Sequence, residues 1–199
     1  MEKKQFSGAV LAGGRSKRMG RDKASLVIGG RSLLELQLDK LRAAGIQDLM
    51  VCDAPGSHRT IPADARLVED LQPDKGPLCA IASALNASGA EYCVILSVDA
   101  AAVSADTVGK LMRTAEESTA EIVILASPSG IQPLIGVYKK SLAEAALELV
   151  NSGSLAVREL FRDHPPVLLE LPDDSPELLN CNTPEDLEKF TALAAERPR

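Results

Sequence analysis

Tryptophan is absent from the 199 residues, and aromatic residues amount to only 3%. A core without large rings has to be assembled from Leu, Val, Ile and Ala, which favours helices alternating with buried strands. Histidine is scarce as well. His58 and His164 both stand in polar, loop-like surroundings, which predicts plain surface positions. The four cysteines, Cys52, Cys79, Cys93 and Cys181, contain no Cys-x-x-Cys pair, so nothing supports a zinc site. Scattered in apolar runs such as Tyr92-Cys93-Val94-Ile95, they are expected as reduced core residues. No apolar run reaches membrane-spanning length, and the start Met1-Glu-Lys-Lys-Gln5 lacks the apolar stretch of a signal peptide. The expectation is a cytoplasmic protein with no membrane partner. An excess of positive charge is missing too: 22 Lys and Arg against 28 Asp and Glu leave a net charge of −6. Without a basic surface or stacking aromatics, nucleic acid is not expected as a partner.

What is present is an alternation of short apolar runs and amphipathic segments. Strands are expected over 7–12, 49–52, 66–70, 92–98, 121–126, 132–138 and 167–171. Between them, Ser32 with Glu35 forms a capping box for a helix closed by Gly45. Pro77 opens a helix running to Ala87, and Ser104 caps one with Val108, Leu111, Met112 and Ala115 on one face. Ser141 with Glu144 reads as a second capping box, a short helix is expected over 155–161, and Pro184 opens the last helix. This order predicts an α/β fold, a Rossmann-like three-layer sandwich with a mostly parallel central sheet. One domain is expected to take up residues 1–199. The stretch after Ser127 departs from strict alternation and is expected as a small extension on one side of the sheet.

The first strand runs into Gly13 and Gly14, and Arg15, Lys17, Arg18, Arg21 and Lys23 then place five cations in nine residues. Glycines at the carboxyl end of a parallel strand let backbone N–H groups approach an anion, and the cations supply charge for a triphosphate or pyrophosphate. Gly13, Gly14 and Gly20 do not have the spacing of the dinucleotide fingerprint. Nor does the loop have that of the Walker A loop, because five residues separate Gly14 from Gly20 and Arg21-Asp22 follows.

Leu11-Ala-Gly-Gly-x-Ser-x-Arg-Met-Gly-x-Asp-Lys23 resembles the signature loop of the molybdenum cofactor guanylyltransferases, members of a larger group of nucleotidyltransferases with a Rossmann-like fold. Three further segments are similar and fall in the same order: Val68-Glu-Asp70 leading to Lys75-Gly-Pro-Leu-Cys-Ala-Ile81, Asp99 at the end of a buried strand, and Asn180-Cys-Asn-Thr-Pro-Glu-Asp-Leu187. The chain departs from the pattern at Ala100-Ala-Ala-Val103, where the family usually has Met-Pro after its Asp, and at Ala80, where Gly is usual.

The resemblance implies transfer of GMP from GTP to the terminal phosphate of molybdopterin, with release of pyrophosphate. It implies nucleotide contacts at Leu11, Ala12, Gly13, Gly14, Lys23, Asp70, Gly76 and Asp99, and phosphate neutralisation by Arg18 and Lys23. Asp99 would hold Mg²⁺, which Mn²⁺ can replace, and Asn180 and Asn182 would lie near metal or phosphate. Arg18, Lys23 and Asp99 are thus the expected catalytic group. The residue lining the base site after the second long strand is Cys52 or Asp53. The implied partners are GTP, molybdopterin, and other cofactor-biosynthesis proteins or molybdoenzyme chaperones. Gly13 and Asp22-Lys23 favour guanine over cytosine by resemblance. The alternatives are cytidylyl transfer to molybdopterin, a sugar-phosphate acceptor, and a GTP-binding homologue without turnover. The residues of Thr183-Pro-Glu-Asp186 also suit a plain helix start, with Thr as N-cap and Pro at the first helical position.

Overall fold

The computed structural model describes residues 4–13 and 22–196. Its frame is a seven-stranded sheet built around β1 (Phe6–Leu11). β1 is buried almost from end to end, so it needs a partner on each edge and a helix layer on each face. It pairs in parallel with β4 (Asp48–Asp53) on one side and β6 (Tyr92–Ser97) on the other. Beyond β4 lies β5 (Ala65–Glu69), also parallel. The far half adds β8 (Gly130–Lys139), β7 (Ile122–Ser127) and β9 (Val167–Glu170), giving the order β5-β4-β1-β6-β8-β7-β9. A separate two-stranded hairpin, β2 (Val27–Ile28) with β3 (Arg31–Ser32), turns through Gly29-Gly30.

The side-chain alternation of the strands divides the core in two. Val10, Val51, Val94 and Leu96 face one side with α1 (Leu33–Ala43), α3 (Ala105–Glu117) and Phe190 of α5 (Pro184–Glu196). Ala9, Met50, Cys52, Cys93 and Ile95 face the other with α2 (Gly76–Ala87) and α4 (Ala143–Asn151). Leucine, valine, isoleucine and alanine fill both layers, as the shortage of rings requires. The four cysteines are free and buried. Burial lifts the Cys52 thiol to about 12 and that of Cys181 to about 11, so both stay protonated.

The three-layer Rossmann-like architecture and its mostly parallel sheet are as expected; the place of the segment after Ser127 is not. β8 is no lateral extension. It lies inside the sheet, antiparallel to both β6 and β7. The reason is its own composition: Ile135 and Val137 point to one face and Tyr138 to the other, and all are buried, so the strand must be covered on both sides. Close approach to β7 requires Gly136, where a Cβ would stand 2.4 Å from the Val123 carbonyl oxygen.

Two local expectations are also corrected. Ser141 and Glu144 form no capping box. A 3₁₀ turn over Lys140–Leu142 leads straight into α4, with Leu142 at the cap position and the Ala143 N–H donating to the Lys140 carbonyl, so a hydroxyl cap is not needed. The short helix expected over 155–161 is a 3₁₀ segment, Val157–Arg162. The Ser32–Glu35 capping box, the Ser104 cap and the Thr183 cap form as read: Ser32 Oγ accepts from the Glu35 N–H, Ser104 Oγ from Thr107, and Thr183 Oγ1 from Asp186.

Candidate active site

Neighbouring β1 are β4 on one edge and β6 on the other, and the connections leave in opposite directions. A crevice opens at the carboxyl ends where such a sheet divides. Here it is a cleft of about 670 Å³. Its floor is the end of β1 (Leu11, Ala12, Gly13). Asp53 and Asp70 stand on one side, at the carboxyl ends of β4 and β5, and Ser97 to Asp99, at that of β6, on the other. The first turn of α2, with Gly76, Pro77 and Ala80, lines the third side. Gly76 has φ +71°, a conformation in which a side chain is strained, and it packs beside Leu155. Next to it, Asp74 has φ +58° and lies on the rim.

At one corner the chain brings together three residues far apart in sequence. Lys23 Nζ donates to Asn182 Oδ1 at 2.6 Å and to Asp99 Oδ2 at 3.3 Å. The side chains of Lys23 and Asp99 are 17% and 27% exposed, open enough to meet a ligand yet shielded enough for the charges to act strongly. Ser97 Oγ donates to the other oxygen of Asp99. The backbone around Asp99 is held on several sides. Its carbonyl accepts from the Cys181 N–H at 2.8 Å, the Ser97 carbonyl accepts from Gln37 Nε2 at 2.8 Å, and the Ala101 carbonyl accepts from Lys40 Nζ at 2.6 Å. The departure at Ala100-Ala-Ala-Val103 is thereby explained locally. All four are buried in a tight turn against the α1 and α3 layer, where small side chains fit.

Asn182 therefore reaches the cleft corner. Asn180 is placed two residues away, and its carbonyl accepts from the Asn182 N–H at 3.0 Å. Cys181 between them points into the core, which accounts for the alternation of the two asparagines. Leu11, Ala12 and Gly13 line the floor, but their hydrogen-bonding groups are partly engaged. The Ala12 and Gly13 N–H groups donate to the Cys52 carbonyl at 2.9 and 3.2 Å, and the Leu11 carbonyl accepts from Val98. Gly14 and Arg18, together with Arg15, Lys17 and Arg21, lie outside the described residues.

On the opposite wall, Asp53 rather than Cys52 faces the cleft; Cys52 is packed in the layer below. Asp53 Oδ2 accepts from Ser57 Oγ and from Arg59 Nε, each at 2.7 Å. Asp70 stands nearby, its N–H donating to the Asp53 carbonyl at 3.0 Å. Burial, with the Asp53 charge added, pushes the Asp70 carboxyl up to about 6. Its Oδ1 is buried with no hydrogen-bond partner. A buried acceptor left unpaired is costly unless a ligand supplies the donor.

Arg59, which no sequence motif singles out, is the cleft-wall residue that reading the sequence missed. The opposing charges of Asp22 and Asp53 were the available signal, but Arg59 lies 37 positions after Asp22 and only the fold joins them. Burial pulls against its charge, yet the hydrogen bonds it donates to Asp22 and Asp53 hold its pKa above the ordinary arginine value. His58 is exposed, as expected, whereas His164 is partly buried and meets Glu121 at 2.7 Å.

The donor set at the Lys23 corner also bears on metal binding. Among the described residues there is no group of three or more Asp, Glu, His or Cys able to hold an ion. Asp99 and the Asn182 amide oxygen instead converge on one point, where the Lys23 ammonium stands. One carboxylate and one amide oxygen beside the end of β1 match magnesium, which takes few protein ligands and completes its shell with water and substrate phosphates. The residues present therefore fit such an ion.

A mostly parallel sheet with a glycine-bearing floor, a lysine and a carboxylate at its switch point is the arrangement of a nucleotide-binding α/β protein. The model of the MobA-like NTP transferase domain matches residues 8–167, and the chain belongs to that family. It is a nucleotidyltransferase by that membership. The probable molybdenum cofactor guanylyltransferase of Mycobacterium avium is 36% identical over 199 residues, covering 97% of each chain. The molybdenum cofactor guanylyltransferase of Xanthomonas euvesicatoria pv. vesicatoria is 33% identical, over 97% of this chain and 96% of its own. Among solved structures, molybdopterin-guanine dinucleotide biosynthesis protein A from Archaeoglobus fulgidus superposes with a TM-score of 0.77 at 21% identity, over 96% of this chain and all (100%) of that one. A manganese complex of Rv0371c from Mycobacterium tuberculosis superposes with a TM-score of 0.66 at 21% identity, over 94% of this chain and 98% of that one. These two likenesses bear on the fold.

Proposed function

We propose that this chain is a molybdenum cofactor guanylyltransferase, transferring GMP from GTP to the terminal phosphate of molybdopterin and releasing pyrophosphate. The observation that carries the reading is the convergence of Lys23, Asp99 and Asn182 at the mouth of the cleft. The relatives of near-full length that bear this activity in their names support the choice of substrates. One nucleotidyltransferase domain working in the cytoplasm is part of the same proposal. Among the described residues no helix is long and apolar enough to cross a membrane.

The reaction needs little proton chemistry. A phosphate oxygen of molybdopterin, already ionised, attacks the α-phosphorus of GTP, the bond to the β-phosphate oxygen breaks, and pyrophosphate leaves with the electron pair. The enzyme's task is to bring anions together and to stabilise charge on the leaving group. The floor at Leu11 to Gly13 receives the nucleotide. Lys23 neutralises phosphate, and Arg18 from the loop is proposed to do the same. Asp99 and Asn182 would hold Mg²⁺, or Mn²⁺ in its place, and that ion would supply Lewis-acid charge stabilisation at the phosphates. Asp70, with its unpaired oxygen, accepts a hydrogen bond from a ribose hydroxyl or base N–H, and Asn180 supports the turn that presents Asn182. Gly76 brings the α2 terminus close to the nucleotide.

The test is pyrophosphate release by purified protein given molybdopterin, Mg²⁺ and one nucleotide at a time. Release with GTP and not with CTP is the expected result. Release with CTP, or with GTP only when a sugar 1-phosphate replaces molybdopterin, would overturn the substrate assignment. Tight GTP binding without release for any acceptor would favour a homologue that has lost turnover.

A further inference from the structure

Arg59 belongs to none of the segments that resemble the nucleotidyltransferases, yet it spans the cleft wall. Its side chain is 13% exposed. Nε donates to Asp53 Oδ2 at 2.7 Å, and Nη1 donates to Asp22 Oδ2 at 2.6 Å. Nη2 reaches Asp22 Oδ1 at 3.3 Å and the Ala12 carbonyl at 3.5 Å. One planar group thus joins the end of β1, the end of β4 and the residue that re-enters from the glycine-rich loop.

Asp22 passes this restraint on. Its Oδ1 accepts from the Ala24 N–H and its Oδ2 from Ser25 Oγ, so the carboxylate caps the 3₁₀ turn Lys23–Ser25. Lys23, the first residue of that turn, reaches Asp99 and Asn182. A continuous line of contacts therefore runs from Asp53 through Arg59 and Asp22 to Lys23.

We infer that Arg59 is a positioning residue, which sets the distance between the phosphate-side lysine and the base-side carboxylate Asp53. What the two ends bind rests on the nucleotidyltransferase reading; the tie itself does not. Arginine is needed because its rigid fork meets two carboxylates and a carbonyl at once, whereas a lysine ammonium at the same place meets one. The role is distinct from general stability. The Asp22 end is 46% exposed, and half-exposed ion pairs add little to folding free energy. Weakening this end should move the turn without unfolding the protein.

The experiment uses three variants of the whole chain: Asp22→Asn, which lowers the charge but keeps a capping oxygen; Arg59→Lys; and Arg59→Met with Asp53→Asn, which removes both members of the buried Arg59–Asp53 pair together. Amide exchange of Ala24, Ser25 and Leu26 is measured without nucleotide, and GTP affinity is measured by calorimetry with Mg²⁺. Faster exchange at these amides is expected in all three, with Kd for GTP raised about ten-fold in Arg59→Lys, turnover lowered with it because Lys23 shifts, and the melting temperature little changed. Unchanged exchange in Arg59→Lys and in the double variant would overturn the tie. Faster exchange with unchanged Kd would overturn its bearing on ligand spacing. Failure of the wild-type protein to bind GTP would remove the functional reading, while the exchange data would still decide the role of Arg59.

Discussion

Asp70 stands in the cleft wall at a cost to the fold. Its folded pKa of about 6 lies above the ordinary 3.8, through burial and then the charge of Asp53. A carboxyl raised in the folded state binds its proton more tightly there than in the unfolded chain. Its contribution to stability is therefore full below about pH 4 and falls as pH rises through about 6. Asp70→Asn should raise the melting temperature at pH 7 to 8 and flatten its pH dependence between pH 4 and 6. The gain is about 1 kcal/mol after allowance for partial solvent exposure, and the same variant should weaken GTP binding. Thermal unfolding across pH checks the first outcome and calorimetry the second. At the opposite corner, Lys23→Ala removes the cation that meets Asp99 and Asn182. Loss of one preorganised charge of this kind should lower turnover about 10²- to 10³-fold, with the melting temperature little changed. Single-turnover pyrophosphate release reads it directly.

The elements differ in how far their neighbours decide them. α1 was readable because Ser32, Glu35 and the leucines at 34, 38 and 41 are local features that agree with one another. The last helix was equally plain: Thr183 and Asp186 exchange hydrogen bonds as a capping box should. Thr183→Ala should cost about 1 kcal/mol, measured by urea unfolding. The hairpin of β2 and β3 escaped notice although Gly29-Gly30 is a two-residue turn signal, because each strand is only two residues long. The Ser141–Glu144 pattern fits a capping box by spacing, but a preceding 3₁₀ turn took over the work of the cap. β8 was recognised as a strand and misplaced in the sheet. Gly136 is the clearest local trace of its central position. Gly136→Ala would drive a methyl into the Val123 carbonyl, and we expect a loss of more than about 2 kcal/mol in denaturant unfolding, with GTP affinity retained in the folded fraction.

At the scale of the whole molecule, the cleft is a product of strand order. β1 is flanked by β4 and β6, so residues from the first, middle and last parts of the chain meet above its carboxyl end. A ligand that binds there joins these parts and should stabilise them together. GTP with Mg²⁺ at about 100 times its Kd should add about 2.7 kcal/mol, or roughly 5–10 °C in the melting temperature of a domain this size. CTP should give a clearly smaller shift in the same scan.

Local chemistry in the sequence was enough to identify the α/β class, the caps at Ser32, Ser104 and Thr183 and the buried parallel strands, and the resemblance to a known family pointed to Lys23, Asp99 and Asn182. Propensity, period and short motifs act over a few residues and survive being read one segment at a time. Tertiary structure alone decided that β8 enters the sheet, that Asp53 and not Cys52 faces the cleft, and that Arg59 joins Asp22 to Asp53. Each of these depends on which distant strands become neighbours, and that is settled by burying both faces of the sheet at once rather than by any run of residues.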